Sequence, residues 1–213
     1  MAFLFASASS QRISAASAPV TGVPFTIACW FRPTTLVGRV LHFTNATTAA
    51  ESYITLTGSG QCLASIRDDA FTAGSATTAT AAATVGSWYH IAGVFASTAS
   101  RTAYLNGVAS TVNTTALGTI TAFTRFTIAA RQIGAFDSFA NGDIAEVGVW
   151  NAALNADEIA SLSKGFPCRF ARPSSLQFYS RLIRNLMDIR GGIALTNTNG
   201  ATVSDHPRII YPC

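Results

Sequence analysis

Apolar and polar residues alternate along most of this chain with a period of two, the spacing of a strand with one buried face. Eight segments carry the pattern: 25–33 (FTIACWFRP), 37–44, 51–58, 62–68, 88–96, 101–107, 123–131 and 142–150 (GDIAEVGVW). Each is short, rich in β-branched and aromatic residues, and bounded by Gly, Pro, Ser, Thr or Asn. Their spacing fits antiparallel strands in a two-sheet sandwich better than alternating strands and helices. Asn106-Gly107 closes one hairpin, because both central residues of a type I′ turn need positive φ. Residues 72–85 lack large apolar anchors and read as a surface loop with a short edge strand.

The period changes once. Asn155 precedes Asp157 and Glu158, then Ile159 and Leu162 follow at helical spacing, and Gly165 and Pro167 stop the run. This predicts one short helix over 155–164, with Asn155 as its N-cap and the two acids at its positive end.

Composition alters the picture of the surface. Hydrophobic residues make up 49% of the 213 and charged residues only 11%, against roughly 25% in an average soluble domain. So few ions protect poorly against association. Either the protein is secreted or much of its outside is covered by neighbours, and the second is expected, including copies of the same chain in a homo-oligomer. The formal charge is +4, and Lys164 is the one lysine among 14 basic residues. The arginines are scattered, apart from a looser group at Arg169, Arg172, Arg181, Arg184 and Arg190. That distribution argues against a nucleic-acid reader. No apolar run approaches the roughly 18 residues of a membrane span, and MAFLFA is too short for a secretory signal. A soluble chain is expected.

Cys29, Cys62, Cys168 and Cys213 show neither CxxC spacing nor dense pairing, so neither zinc nor a disulfide framework is indicated. Cys29 reads as a buried free thiol. Cys213 could cross-link only if assembly were followed by oxidation.

The segments FTIACWFRP, SWYHIAGVF with AYLNG, and NGDIAEVGVWNAALNADEIASL together resemble the laminin-G-like, or concanavalin A-like, lectin/glucanase family over residues 1–165. The resemblance implies an all-β antiparallel jelly-roll sandwich. Residues 3–13 resemble that family's early strand, while 176–203 carry the pattern of the strand that ordinarily precedes it. Two arrangements of 166–213 follow: a circular permutation in which this segment completes the sandwich, or an arm laid over a neighbouring subunit. The tail, with FARPSSL, FYSRLIR, DIRGG and TNGATVSDHPRIIY, also looks like proteins encoded among tailed-phage virion genes.

Because the family resembled also includes glucanases, the carboxylates bear on catalysis. Retaining hydrolysis needs two carboxyl groups about 5 Å apart. Asp143 and Glu146 are an odd number apart and point to opposite faces of a regular strand. His42, His90 and His206 have no Gly-x-Ser-x-Gly elbow with them. No catalytic residue and no cofactor is expected. The resemblance implies a rim site for calcium, but the family-style Ile-Asp-Glu-Val here reads Ile144-Ala145-Glu146-Val147. Only a weak set remains, Asp137, Asn141 and Asp143, and these read first as turn residues bonding their own backbone.

Two functions are expected from these features. The leading one is a non-catalytic virion protein, decorating a capsid or forming part of a head or tail fibre. It would dock on the major capsid protein or on fibre and tail subunits through Arg169, Phe170, Arg172, Phe178 and Tyr179. The alternative is a glycan-binding adhesion module using the exposed aromatics Tyr53, Phe71, Phe136 and Phe139 with Asn141, above all in the loop 134–142. Trp30, Trp88 and Trp150 fall in strand patterns and read as core.

Overall fold

A computed structural model describes residues 1–45, 47, 49–78 and 82–210. Cys213, the proposed cross-linking thiol, lies outside the described residues.

Two antiparallel sheets face each other, as the alternation predicts. Among the described residues, eight strands form the first. Its path runs Val108–Ala109, Ser100–Leu105, Tyr89–Ser97, Phe25–Pro33, Gly142–Trp150, Ala2–Phe5, Thr202–Ser204, and Leu176–Ser180 pairs with the far half of Gly142–Trp150. Seven strands form the second, in the order Leu195–Thr198, Arg12–Ala15, Arg125–Ile128, Leu41–Thr44, Glu51–Leu56, Cys62–Arg67, Ala73–Thr77. The last of these is the short edge strand expected within 72–85. Asn106 and Gly107 take φ of 49° and 81°, as a type I′ hairpin requires. Three strands beyond residue 165 thus pair within the same two sheets.

Inward-facing residues of both sheets make the main core. Phe25 stacks on Phe95 and Phe43 on Phe126, each pair with centroids 4.6 Å apart. Phe178 meets Phe126 edge-on at 5.4 Å. Phe178 is therefore core and not an outward docking residue: its alternate position in Leu176–Ser180 points between the sheets.

A second apolar layer covers the outer face of the first sheet. The helix Ala156–Ser163 lays Ile159 and Leu162 over Trp150, Ala28 and Ala92, with Tyr179 and Cys168 in the same cluster. Tyr179 is likewise buried here, and its hydroxyl donates to Glu146. Asn155 caps the helix as predicted, accepting from the Glu158 N–H while the Glu158 carboxylate accepts from the Asn155 N–H. Arg172, expected to dock on a partner, instead clamps this corner. It donates to both Glu158 carboxylate oxygens and to the Ala153 carbonyl. Trp150 is buried as expected, but Trp30 and Trp88 are only half-buried. Trp30 sits on the outward face of Phe25–Pro33, edge-on to His90, and Trp88 precedes its strand and lies under Arg32. Cys29, Cys62 and Cys168 are buried free thiols.

A β-bulge between Ala145 and Gly148 overturns one geometric expectation. The extra residue, Glu146, takes φ 53° and turns its carboxylate to Tyr179 and His206, outside the main core. Period-two alternation fails across this point, so Asp143 and Glu146 do not take the opposite faces that a regular strand would give them.

Candidate functional site

The outer face of the second sheet carries the chain's main constellation of polar side chains. Register puts His42, Thr44, Glu51, Tyr53, Ser65 and Arg67 on this face, since their neighbours Leu41, Phe43, Ile54 and Ile66 point into the core. A hairpin of Arg131–Ile133 and Ala135–Asp137 lies across it and brings Arg131 over the sheet.

Glu51 is the anchor. It is almost fully buried and bound on three sides. His42 Nε2 donates to it at 2.9 Å, Arg131 Nε at 3.0 Å, and an Arg67 Nη approaches at 3.1 Å. Burial alone would raise its carboxyl pKa. The hydrogen bond from His42 and the charges of Arg131 and Arg67 outweigh that, and hold it at about 2 instead of 4.5. His42 is pushed down by burial, so its ring is neutral: Nε2–H donates to Glu51, and Nδ1 accepts the Gln132 N–H at 3.4 Å. Arg67 is fixed again by the Ala49 carbonyl at 2.8 Å. Arg131 reaches on to Asp137 at 3.3 Å. Both guanidiniums are thereby oriented before any ligand arrives.

Beside them opens a cleft of about 540 Å³ lined by Thr47, Arg67, Asp69, Phe71, Arg131 and Ile133. Phe71 is 72% exposed, the most exposed of the large hydrophobic side chains among the described residues. Its backbone has φ 67°, a left-handed conformation unusual for a bulky residue. Asp68 enforces this turn. Its carboxylate accepts the N–H groups of Gly118, Ala70 and Thr72, and those bonds, that from Gly118 foremost, keep it below the ordinary carboxyl range. Asp69 accepts from both Thr121 N–H and Thr121 Oγ1.

The aromatic candidates do not form one group. Tyr53 lines a second, smaller cleft of about 240 Å³ with Leu63 and Arg39, and the Arg39 guanidinium covers its ring at 3.6 Å. Phe136 sits on the hairpin, its ring covered by Arg12 at 3.8 Å. Arg67 stands 5.3 Å from the Phe71 ring, the loosest of these three covers. Phe139 is half-buried, its backbone bridging to Arg39. The loop 134–142 is thus partly hairpin, and its rings are less available than the sequence suggests.

The weak calcium set does not assemble. Asp143 is buried on the first sheet, paired to Arg32 at 2.8 Å and accepting from Ser204. Asp137 turns to Arg131, and the Asn141 carbonyl accepts from the Thr34 N–H. Among the described residues no cluster of three or more His, Cys, Asp or Glu could hold a metal. Of the docking candidates, Arg169 lies over the ring of Phe170 at 4.9 Å. Phe170 and Phe166 border a groove of about 390 Å³ beside the helix. The Glu51–Arg67–Arg131 cluster was missed by sequence reading. Its one local signal is the outward phase of Glu51 and Arg67 on adjacent strands.

A laminin-G family model described as the concanavalin A-like lectin/glucanases superfamily matches residues 7–160. No curated protein matches the chain by sequence. Among solved structures, a native heptameric SAP-like pentraxin from Limulus polyphemus is similar with TM-score 0.67 and 15% identity, over 92% of this chain and 89% of that one. A proposed carbohydrate-binding protein from Bacteroides ovatus gives TM-score 0.65 and 18% identity, over 99% of this chain and 61% of its own. The CBM40 of a Ruminococcus gnavus IT-sialidase, bound to alpha2,3 sialyllactose, gives 0.58 and 15%, over 68% of this chain and 84% of its own. At such identities the likeness is one of fold, and with the family match over 7–160 it places the chain in the concanavalin A-like lectin/glucanase superfamily.

Proposed function

We propose that this domain is a non-catalytic carbohydrate-binding module whose ligand enters the cleft at Phe71. The observation that carries the reading is Phe71 itself. It is a large ring held exposed, in a backbone conformation it disfavours, next to two guanidiniums already fixed by a buried carboxylate. An aromatic face for a sugar ring plus a few oriented polar groups is the usual make-up of a glycan cleft. Two structural relatives described as binding carbohydrate are consistent with it.

The carboxylates favour binding over hydrolysis. Glu51, at about 2 and ion-paired, is a poor acid and a poor base at neutral pH. Asp137 is engaged by Arg131, and Asp69 is tied to Thr121. A glycan array followed by titration tests the reading. Phe71→Ala is expected to lose at least about tenfold in affinity, with an unchanged melting temperature. Binding that survives this substitution would remove the cleft from consideration.

A second reading, a virion subunit on a capsid or fibre, is favoured by the sparse charge and by the apolar groove that Phe166 and Phe170 border. Mass spectrometry of purified phage particles tests it: the protein should be present at fixed stoichiometry, and its absence would end that reading.

A further inference from the structure

The outer face of the second sheet holds more positive charge than its carboxylates neutralise. Five arginines stand there: Arg12, Arg39, Arg67, Arg125 and Arg131. Glu51 serves Arg67 and Arg131, Asp137 serves Arg131 again, and Asp69 at the Phe71 end is bound by Thr121, so five guanidiniums face three carboxylates. Arg12, Arg39 and Arg125 have no carboxylate partner among the described residues. In a chain with only 11% charged residues, such an excess on one face is not a generic solvated surface.

Two of these unpaired guanidiniums are also held in place. Arg12 lies over Phe136 and Arg39 over Tyr53, with their Nε atoms buried and without a hydrogen-bond partner among the described residues, and Arg12 Nη1 donates to the Ser10 carbonyl at 3.2 Å. A guanidinium held over a ring this way is oriented and partly desolvated; the Nη edge of Arg39 and the N–H groups of Arg12 not taken by Ser10 suit a carboxylate or sulfate. The stacking also closes those two rings to a sugar face, which leaves Phe71 as the open one. The strands bearing Arg12 and Arg67 are four steps apart in the sheet, a separation of roughly 19 Å. One terminal acid cannot reach both ends.

We propose that the ligand of this face is a polyanionic glycan, with carboxylate or sulfate groups on successive sugars, lying around the Arg131–Asp137 hairpin from Arg12 to Phe71. This rests on the carbohydrate-binding reading and specifies its substrate class. Bases of single-stranded nucleic acid would need open rings in series, and two of the three here are covered.

The test is calorimetric titration of the full chain with four probes: hyaluronan oligosaccharides, heparin oligosaccharides, neutral β-glucan oligosaccharides and single-stranded DNA of matched charge. Arg39→Ala, Arg12→Ala and the exposed Arg125→Ala are each expected to weaken binding of the acidic sugars by about tenfold. Arg39→Lys should restore little of that, because the planar fork is gone. Arg184→Ala, equal in charge change and hydrogen-bonded to Met1 Sδ, away from this face, should leave binding intact. Hyaluronan against heparin separates carboxylate from sulfate. Neutral oligosaccharides that bind as tightly, lose affinity in Phe71→Ala and ignore the arginine variants would overturn the polyanion proposal and leave the carbohydrate reading standing. DNA binding equal to that of the acidic sugars would overturn it as a generic polyanion surface. No binding by any probe removes both readings.

Discussion

Phe71 keeps a left-handed backbone that costs a residue with a Cβ roughly 1–2 kcal/mol, while glycine adopts it freely. Phe71→Gly should therefore stabilise the fold by about 1 kcal/mol in thermal melts while destroying glycan binding. A fall in stability instead would mean that the ring packs for the fold. Glu51 behaves in the opposite way. Replacing it with Gln leaves Arg67 and Arg131 without their shared anion beside buried His42, and is expected to cost about 3 kcal/mol in chemical denaturation. Its folded pKa of about 2 lies below the unfolded 4.5, so its contribution is complete above pH 4.5 and is lost as pH falls toward 2. The wild-type melting temperature should drop across that window, and more steeply than that of Glu51→Gln.

At the scale of elements, the hairpin Arg131–Asp137 and the helix Ala156–Ser163 cover opposite outer faces and do different work. The helix seals Trp150 beneath Ile159 and Leu162, and its start is fixed by a reciprocal cap. Asn155→Ala removes the acceptor for the Glu158 N–H and should cost about 1 kcal/mol, a loss of roughly 2–4 °C in a chain of this size. Glycan affinity should not change, because the helix lies on the first sheet. The hairpin is polar beneath: it rests on Glu51 and His42 through Arg131 and Gln132, so it orients guanidiniums and adds little to the core.

For the molecule as a whole, the segment after residue 165 supplies one strand beside Gly142–Trp150, one edge strand to each sheet, and Phe178 to the core. The proposed circular permutation treats these as the strands that would ordinarily open the domain. A fragment ending at residue 165 would lose that pairing and expose Phe126 and Val149. It should show no cooperative melting transition by circular dichroism. A fragment that melts like the full chain would make the segment an arm.

The alternation of FTIACWFRP, ESYITLTG and GDIAEVGVW, the Asn-Gly turn and the Asn155 cap are local patterns, and the chain by itself determined from them a sandwich with one capped helix. Local signals suffice there because a strand's buried face and a helix's start depend on residues only two to four positions apart. The proposed binding face is of another kind. Glu51 meets Arg67 and Arg131, which stand 16 and 80 positions further along, and Arg12 finds Phe136 across more than half the chain. Which ring is open and which lies under a guanidinium, and where a bulge reverses Glu146, follow from strand register and from the hairpin's placement. Those are set by long-range pairing across both sheets, which no window of sequence contains.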